Sequence, residues 1–122
     1  YIKFNYPDYI FIASLSVFLG HVFPIWLKFK GGKGVATYIG ILFSINLIFG
    51  LIFIVSWAVT FIISKYSSLS SLTASLIVPI YLIIFENYNS MFFIIMFVLI
   101  FYTHKENVKR LKNKDETKTK IY

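Results

Sequence analysis

Long apolar stretches separated by short polar breaks dominate the chain. The first runs from Tyr9 to Leu27 and contains only Ser14, Ser16 and His21 as polar interruptions. At about 1.5 Å per residue, a helix of this length crosses a hydrocarbon core of about 30 Å. Pro24 lies in its last turns and predicts a kink there.

The second apolar stretch, residues 35–63, is better divided into two passes than read as one tilted helix. Asn46 lies near its middle and Gly50 soon after, and both residue types favour turns. The first pass, Val35–Ile45, is short and should be shielded from lipid by protein. The second pass runs from Leu47 to Ser64.

Two more spans follow, Leu69–Phe85 with Pro79 inside it and Met91–Thr103, joined by a polar turn at Glu86–Ser90. The pattern therefore predicts an all-α, multi-pass transmembrane bundle with about five membrane segments, one of them short. Residues 1–122 form a single membrane-embedded domain in this interpretation.

The last part of the chain, residues 105–122, is a polar and basic tail. Its start, His104–Lys112, favours a helix, and its end should fray. The first residue is Tyr1 and not Met, so we expect the chain to begin inside a longer gene product.

The positions of the charges determine the orientation. Hydrophobic residues make up 58% of the chain, charged residues only 14%, and the net charge is +7. If the segment Lys28–Gly34 is cytoplasmic, the two-pass interpretation places eleven of the twelve basic residues on that side. A single pass through residues 35–63 would place Lys65 and the basic tail on the opposite side. The same distribution reduces the need for nucleic acid to explain the net charge, and no nucleic-acid partner is expected.

The segment Gly31-Gly32-Lys33-Gly34 opens the helix expected near Val35. Glycines allow an anion-binding nest of backbone N–H groups, a helix N-terminus adds partial positive charge, and Lys33 adds a full charge. These residues form a phosphate cradle or, with equal weight, a flexible basic turn. A nucleotide P-loop fits poorly because Leu27 and Gly34 occupy its glycine and hydroxyl positions.

Two further groups have a structural and a chemical interpretation. For His21, hydrogen bonding to a neighbouring helix is favoured over catalysis. The hydroxyls at positions 67, 68, 70 and 71 open a helix, where N-capping is favoured over donation to a phosphate or acyl group. Both roles can coexist in the serine segment.

His104 and Asn107 are three residues apart and share one face of the expected helix, which Arg110 continues. A histidine at this position can act as a base or orient a substrate, or it can simply end the span above a basic interfacial stripe. No pair of histidine and acidic residues has metal-ligand spacing. The chain has no cysteine, which leaves no thiol nucleophile.

Three segments resemble, in order, the motifs of the bacterial acyl-phosphate:glycerol-3-phosphate acyltransferases, the PlsY family. Gly20-His21-Val22-Phe23-Pro24 followed by residues 28–37 is similar to the second motif of that family. Residues 66–71, Tyr-Ser-Ser-Leu-Ser-Ser, resemble the serine segment. Residues 104–111 with Glu116 and Lys118 resemble the C-terminal motif.

The resemblance implies an enzyme of the bacterial cell (inner) membrane with an active site that faces the cytoplasm. It would transfer an acyl chain from acyl phosphate to the sn-1 hydroxyl of glycerol 3-phosphate, giving lysophosphatidic acid and phosphate. Its partners would be these two substrates and membrane lipids, with no cofactor. A different class of function, a transporter or a module that binds anionic lipids, is the alternative.

The resemblance also assigns roles by position. His104 and Asn107 would be catalytic, and the proton of the attacking hydroxyl would pass either to His104 or to a substrate phosphate oxygen. Glu116 would lie at the rim of the site. The residues that bind substrate or its phosphate would be Gly31, Gly32, Lys33, Gly34, Ser67, Ser68 and Glu116.

The chain departs from the family in three places. The family begins with two further spans and a motif that contributes a serine and an arginine, and nothing here matches them, so we expect little activity from the chain alone. Lys114 stands where the family often has glycine. Lys65 stands where it commonly has arginine, which conserves charge but not bidentate geometry.

Overall fold

The computed structural model describes residues 9–23, 33–86 and 90–118, and these residues form helices and no strand. Each of the five apolar segments expected from the sequence contains a helix within these described ranges, which confirms the all-α bundle. The helices are α1 (Ile10–Val22), α2 (Val35–Ile45), α3 (Leu47–Ser64), α4 (Ser67–Tyr81, continued by a π-helical turn at Leu82–Glu86), α5 (Ser90–Thr103) and α6 (Lys105–Lys112).

The helices differ in how far they can reach across a membrane. Helix α3 and the continuous segment Ser67–Glu86 are long and apolar enough to cross, and α5 with α6 is a third candidate span bent by 65°. Helices α1 and α2 are shorter. The short α2 agrees with the expectation that one of the membrane segments is short.

Helix α1 is shorter than the predicted span and ends at Val22. Phe23 is its C-cap, and the Phe23 amide donates to the Leu19 carbonyl at 2.8 Å. Pro24 and its expected kink lie outside the described residues. His21 pairs its Nδ1 with the Val17 carbonyl of its own helix at 3.0 Å. The expected bond to a neighbouring helix is therefore not the one observed.

Helices α2 and α3 form a hairpin that turns at Asn46. The Asn46 backbone is extended, with φ of −156°, and its side-chain oxygen accepts from the Ile48 amide at 2.9 Å, which caps α3. On either side of the turn, Tyr38 and Phe53 meet edge to face with ring centroids 5.7 Å apart. The division of residues 35–63 into two helices that meet at Asn46 is therefore confirmed.

Helix α4 lies between α3 and α5 and carries much of the core. Pro79 has no amide hydrogen to donate, and the helix widens into the π-helical turn directly after it. Aromatic and aliphatic side chains from five helices fill the interior, among them Phe18, Tyr38, Phe53, Val78, Leu82, Phe93 and Met96.

The chain bends at His104, between α5 and α6, and turns again after α6. Lys114 has φ of +61°, a left-handed conformation that glycine adopts more easily. The Asp115 amide bonds to the Arg110 carbonyl at 2.7 Å and the Lys114 amide to the Leu111 carbonyl at 3.2 Å, which is a Schellman motif. This turn sends residues 115–117, the C-terminal segment, back to the bundle.

Candidate active site

The start of α2 places Lys33 beside α5. Gly34 is the N-cap of the helix with φ of +84°, and an added Cβ would collide with the Phe18 ring, so glycine is required there. The Thr103 hydroxyl oxygen lies 2.8 Å from both the Lys33 and the Ile100 carbonyl oxygens, which can share its one hydrogen. The predicted helix start near Val35 is confirmed, whereas Gly31 and Gly32 lie outside the described residues.

Lys33 meets the C-terminal motif directly. Its ammonium donates to the Asn107 side-chain oxygen, although the two residues are far apart in sequence. Asn107 is 6% exposed and His104 is 3% exposed. Both line the same cavity, so the shared face predicted from their spacing is confirmed.

The ring of His104 is held in one tautomer. Its Nδ1 lies 2.8 Å from the Ile100 carbonyl, which can only accept, so the proton is on Nδ1 and Nε2 carries the lone pair in the neutral ring. His104 follows the last residue of α5. Burial has the largest influence and lowers the pKa of the imidazole. The positive charge of Lys33 also lowers this pKa, whereas the hydrogen bond to Ile100 and the negative charge of Glu116 raise it. The neutral form is therefore favoured.

The serines do not cap α4, so the favoured N-capping interpretation was wrong. Tyr66 is the N-cap residue, and its side chain makes no capping hydrogen bond. The Ser70 and Ser71 hydroxyls instead donate one turn back, to the carbonyls of residues 66 and 67 at 2.7 and 3.0 Å. Ser68 is buried and donates to Glu116 at 3.2 Å. The first turn of α4 packs against the C-terminal segment, and this contact cannot be read from local sequence.

Glu116 lies among Ser68, Asn107 and Arg110. Its side chain is only 11% exposed, so it is not at an open rim of the site. Its Oε2 accepts from the Asn107 amide at 3.0 Å, and its Oε1 is 3.5 Å from Arg110 Nε. Burial raises the pKa of this carboxyl, but the Asn107 and Ser68 hydrogen bonds and the Arg110 charge outweigh it and leave the pKa below its usual range. Glu116 is therefore an anion at neutral pH.

These residues surround one end of a cavity of about 770 Å³. Its other walls come from the α2–α3 hairpin, and Trp57 there donates to the Ser71 hydroxyl at 3.1 Å. The polar lining residues are Lys33, Ser67, Ser68, Ser71, His104, Asn107, Glu116 and Thr117, and the apolar ones are Val35, Ala36, Ile39, Phe53, Ile54, Trp57 and Ala58.

The sequence interpretation missed the apolar wall and the Arg110–Glu116 pair. Phe53 and Trp57 are four residues apart and share a face of α3, and this spacing was the feature of the sequence that could have indicated the apolar wall. In a chain this apolar, that spacing does not separate a cavity wall from ordinary packing. The Arg110–Glu116 pair depends on the turn at Lys114, which no motif in the chain predicts.

The bundle and this site define a helical membrane protein with a buried polar cluster at the end of an apolar cavity. A family model for glycerol-3-phosphate acyltransferases matches residues 1–114. The chain belongs to the glycerol-3-phosphate acyltransferase family.

Curated relatives agree with the family model. The chain is 86% identical to a glycerol-3-phosphate acyltransferase of Pelagibacter ubique (strain HTCC1062) over 122 residues, which cover 100% of this chain and 64% of the relative. It is 46% identical to one of Bradyrhizobium diazoefficiens over 113 residues, covering 92% of this chain and 57% of that protein.

A solved structure has the same fold. PlsY (YgiH), an integral membrane glycerol 3-phosphate acyltransferase, superposes in its glycerol 3-phosphate form with a TM-score of 0.89 at 29% identity, covering 98% of this chain and 62% of that one. Its lysophosphatidic acid form gives the same TM-score. The chain thus spans less than two thirds of the length of these proteins.

Proposed function

We propose that this chain carries the catalytic site of an enzyme that transfers an acyl chain from acyl phosphate to the sn-1 hydroxyl of glycerol 3-phosphate. One observation carries the proposal: Lys33, Ser68, His104, Asn107 and Glu116 come from separate parts of the chain and line one cavity. The names of the relatives, and PlsY structures in glycerol 3-phosphate and lysophosphatidic acid forms, support the substrate and the product.

The two halves of the cavity suit the two halves of the acyl donor. Its phosphate would lie near the Lys33 ammonium and the first turn of α2, where a full charge and helix N–H groups favour anions. Its acyl chain would lie along Ile39, Phe53 and Trp57, because apolar surface leaves water favourably. The reactive carbonyl would then be close to His104 and Asn107.

The reaction needs no protein nucleophile, because an acyl phosphate is already activated. The glycerol 3-phosphate hydroxyl attacks the acyl carbonyl carbon, forming the ester bond while the bond from that carbon to the phosphate oxygen breaks. Inorganic phosphate leaves, and the hydroxyl proton passes to a base. Two bases fit the site: His104 Nε2, which carries the lone pair, and an oxygen of a substrate phosphate.

The function can be tested in membranes supplied with acyl phosphate and labelled glycerol 3-phosphate. The chain would be expressed alone and joined to the segment of the Pelagibacter relative that it does not match. We expect lysophosphatidic acid from the joined protein, and Lys33→Ala should reduce kcat/KM at least about tenfold, within the range for losing a charge-assisted phosphate contact. Lys112→Ala, an exposed lysine outside the cavity, is the matched control. No product from the joined protein would refute the proposal.

Replacing His104 separates the two bases. If Nε2 takes the proton, His104→Gln should lower kcat about 10²- to 10⁴-fold and remove the fall in rate at acidic pH that protonation of the ring causes. If a substrate phosphate takes it, the acidic limb should persist in the variant, and the loss in kcat should be small. The measurement is the dependence of kcat on pH in both proteins.

The transport alternative gains no support from the described helices. A polar residue inside the apolar stretch of residues 35–63, Asn46, would be a candidate for such a role, but it uses its side-chain oxygen to cap α3. Its polarity therefore has a structural explanation.

A further inference from the structure

Arg110 contacts Glu116 but, unlike Ser68 and Asn107, it does not line the cavity. Its side chain is 45% exposed, and its Nε lies 3.5 Å from Glu116 Oε1. The other oxygen of the same carboxylate accepts from Asn107 and Ser68. Arg110 is therefore placed to act on the site through Glu116 and not by contact with a ligand.

The Asn107 amide lies between two groups of opposite hydrogen-bonding character. Lys33 can only donate and the Glu116 carboxylate can only accept. With both neighbours in place, only one amide orientation satisfies them: Oδ1 toward Lys33 and Nδ2 toward Glu116, as observed. A neutral Glu116 could donate as well as accept, and a displaced one would leave the amide without this partner, so in either case the orientation would no longer be fixed.

The contacts form a continuous chain, Arg110 to Glu116 to Asn107 to Lys33, in which each member sets the position of the next. Ser68 adds a second donor to Glu116 and so ties this chain to α4. Hydrogen bonds in such networks strengthen one another where water is excluded. The Lys33 ammonium, at the end of the chain, is the full positive charge that lines the described cavity.

We infer that Arg110 and Glu116 are positioning residues that fix the Lys33 ammonium for a phosphate group through the amide of Asn107. The inference rests on the proposed function for the identity of the ligand as a phosphate or phosphate ester. It differs from the sequence interpretation, in which Glu116 binds substrate and Arg110 has no role in the site.

The test is a double-mutant cycle on phosphate binding in the joined protein described above, with inorganic phosphate as the probe and calorimetry as the measurement. We expect Arg110→Gln and Glu116→Gln each to raise the Kd for phosphate about 3- to 10-fold. Neither should raise it further in a Lys33→Ala background, because an effect relayed through Lys33 disappears with Lys33.

Two control variants keep the result specific. Lys109→Gln removes one positive charge from an exposed neighbouring position of α6 and should leave the Kd within about twofold of the wild-type value. Arg110→Lys keeps the charge beside Glu116 and should recover most of the binding. Thermal unfolding of each variant identifies a loss of binding that comes from misfolding.

Several outcomes would overturn the inference. Equal effects of Arg110→Gln and Lys109→Gln would mean that only the net charge of α6 matters. Full additivity with Lys33→Ala would mean that Arg110 or Glu116 meets phosphate independently. Absence of phosphate binding in the wild type would remove the premise that Lys33 serves an anion. The acyl-transfer assay reports separately on the proposed function, which can hold even if the relay fails.

Discussion

The turn after α6 depends on a lysine in a conformation that suits glycine. Lys114 has φ of +61°, and its turn carries Glu116 to Ser68 and Asn107. The resemblance to the family identified position 114 as a departure from glycine, but only the structure shows that the departure is strained and where the chain goes next.

Lys114→Gly should therefore stabilise the C-terminal segment by about 0.5–1 kcal/mol, because glycine adopts a positive φ without a steric penalty. Hydrogen exchange of the Asp115 amide, which donates to Arg110, is the measurement, and the variant should exchange about two- to fivefold more slowly. Asn113 has φ of −86°, so Asn113→Gly should give no such protection. Faster exchange in Lys114→Gly would contradict the assignment of strain.

The Glu116 contacts should also depend on pH in a defined direction. Because the pKa of Glu116 is lower in the folded protein than in the unfolded chain, its stabilising contribution is complete above the unfolded value, near 4.3, and is lost as pH falls through the folded value. Wild type and Glu116→Gln should differ in thermal stability at pH 6 and converge as the pH falls toward 3. A constant difference across this range would contradict the sign.

Sequence spacing predicted which polar residues share a helix face but not which ones touch across the bundle. His104 and Asn107 are three apart on one helix, and local geometry fixes their common face. The serines were misread because their hydroxyls bond one turn back or reach Glu116 in place of the first backbone amides of α4. Spacing along the chain does not predict contacts between distant segments, such as Lys33 with Asn107. Only the family resemblance placed these two residues in one site.

At the scale of the elements, the α2–α3 hairpin determines where the cavity lies. Since the chain reverses at Asn46, residues at equal distances from that turn lie at equal depth, as Ile39 and Phe53 do in the apolar wall. The hairpin could be predicted because a turn-favouring residue and the distribution of basic residues agreed. The bend at His104 and the π-helical turn after Pro79 had no comparable signal in sequence.

Removal of the Asn46 cap should weaken this hairpin. Asn46→Ala is expected to lower the free energy of unfolding by about 1 kcal/mol, the usual cost of losing an N-cap, while Asn46→Asp should retain most of the stability. Ser44→Ala, which removes a hydroxyl bonded only to the Gly40 carbonyl of its own helix, is the control and should be nearly neutral. Denaturant unfolding in mixed micelles measures all three, and equal losses in Asn46→Ala and Ser44→Ala would exclude a capping role.

At the scale of the whole molecule, three segments distant in sequence meet at one end of the bundle. Lys33, Ser68, His104, Asn107 and Glu116 all line the same cavity, so the ends of α2, α4 and α5 near which they lie are close together. This common end is the one on which charge counting placed nearly all the basic residues. We propose that it faces the cytoplasm.

The sidedness can be measured because the chain has no cysteine. Single substitutions Lys65→Cys and Lys112→Cys should react equally with a membrane-impermeant maleimide and only after the inner membrane is opened. Glu86→Cys, at the far end of α4 and its π-helical turn, should react in intact spheroplasts. Labelling of positions 65 and 112 from opposite sides would contradict the hairpin topology.

The position of Glu116 after α6 has a consequence for biosynthesis. A polypeptide emerges from its N-terminus onward, so every described helix leaves the ribosome before the carboxylate that joins Ser68, Asn107 and Arg110. The bundle can therefore enter the bilayer while its polar site is still unfinished. A messenger RNA with a stop codon just after α6 would yield an inserted bundle without Glu116. Premature termination at that point therefore separates assembly in the membrane from completion of the polar site.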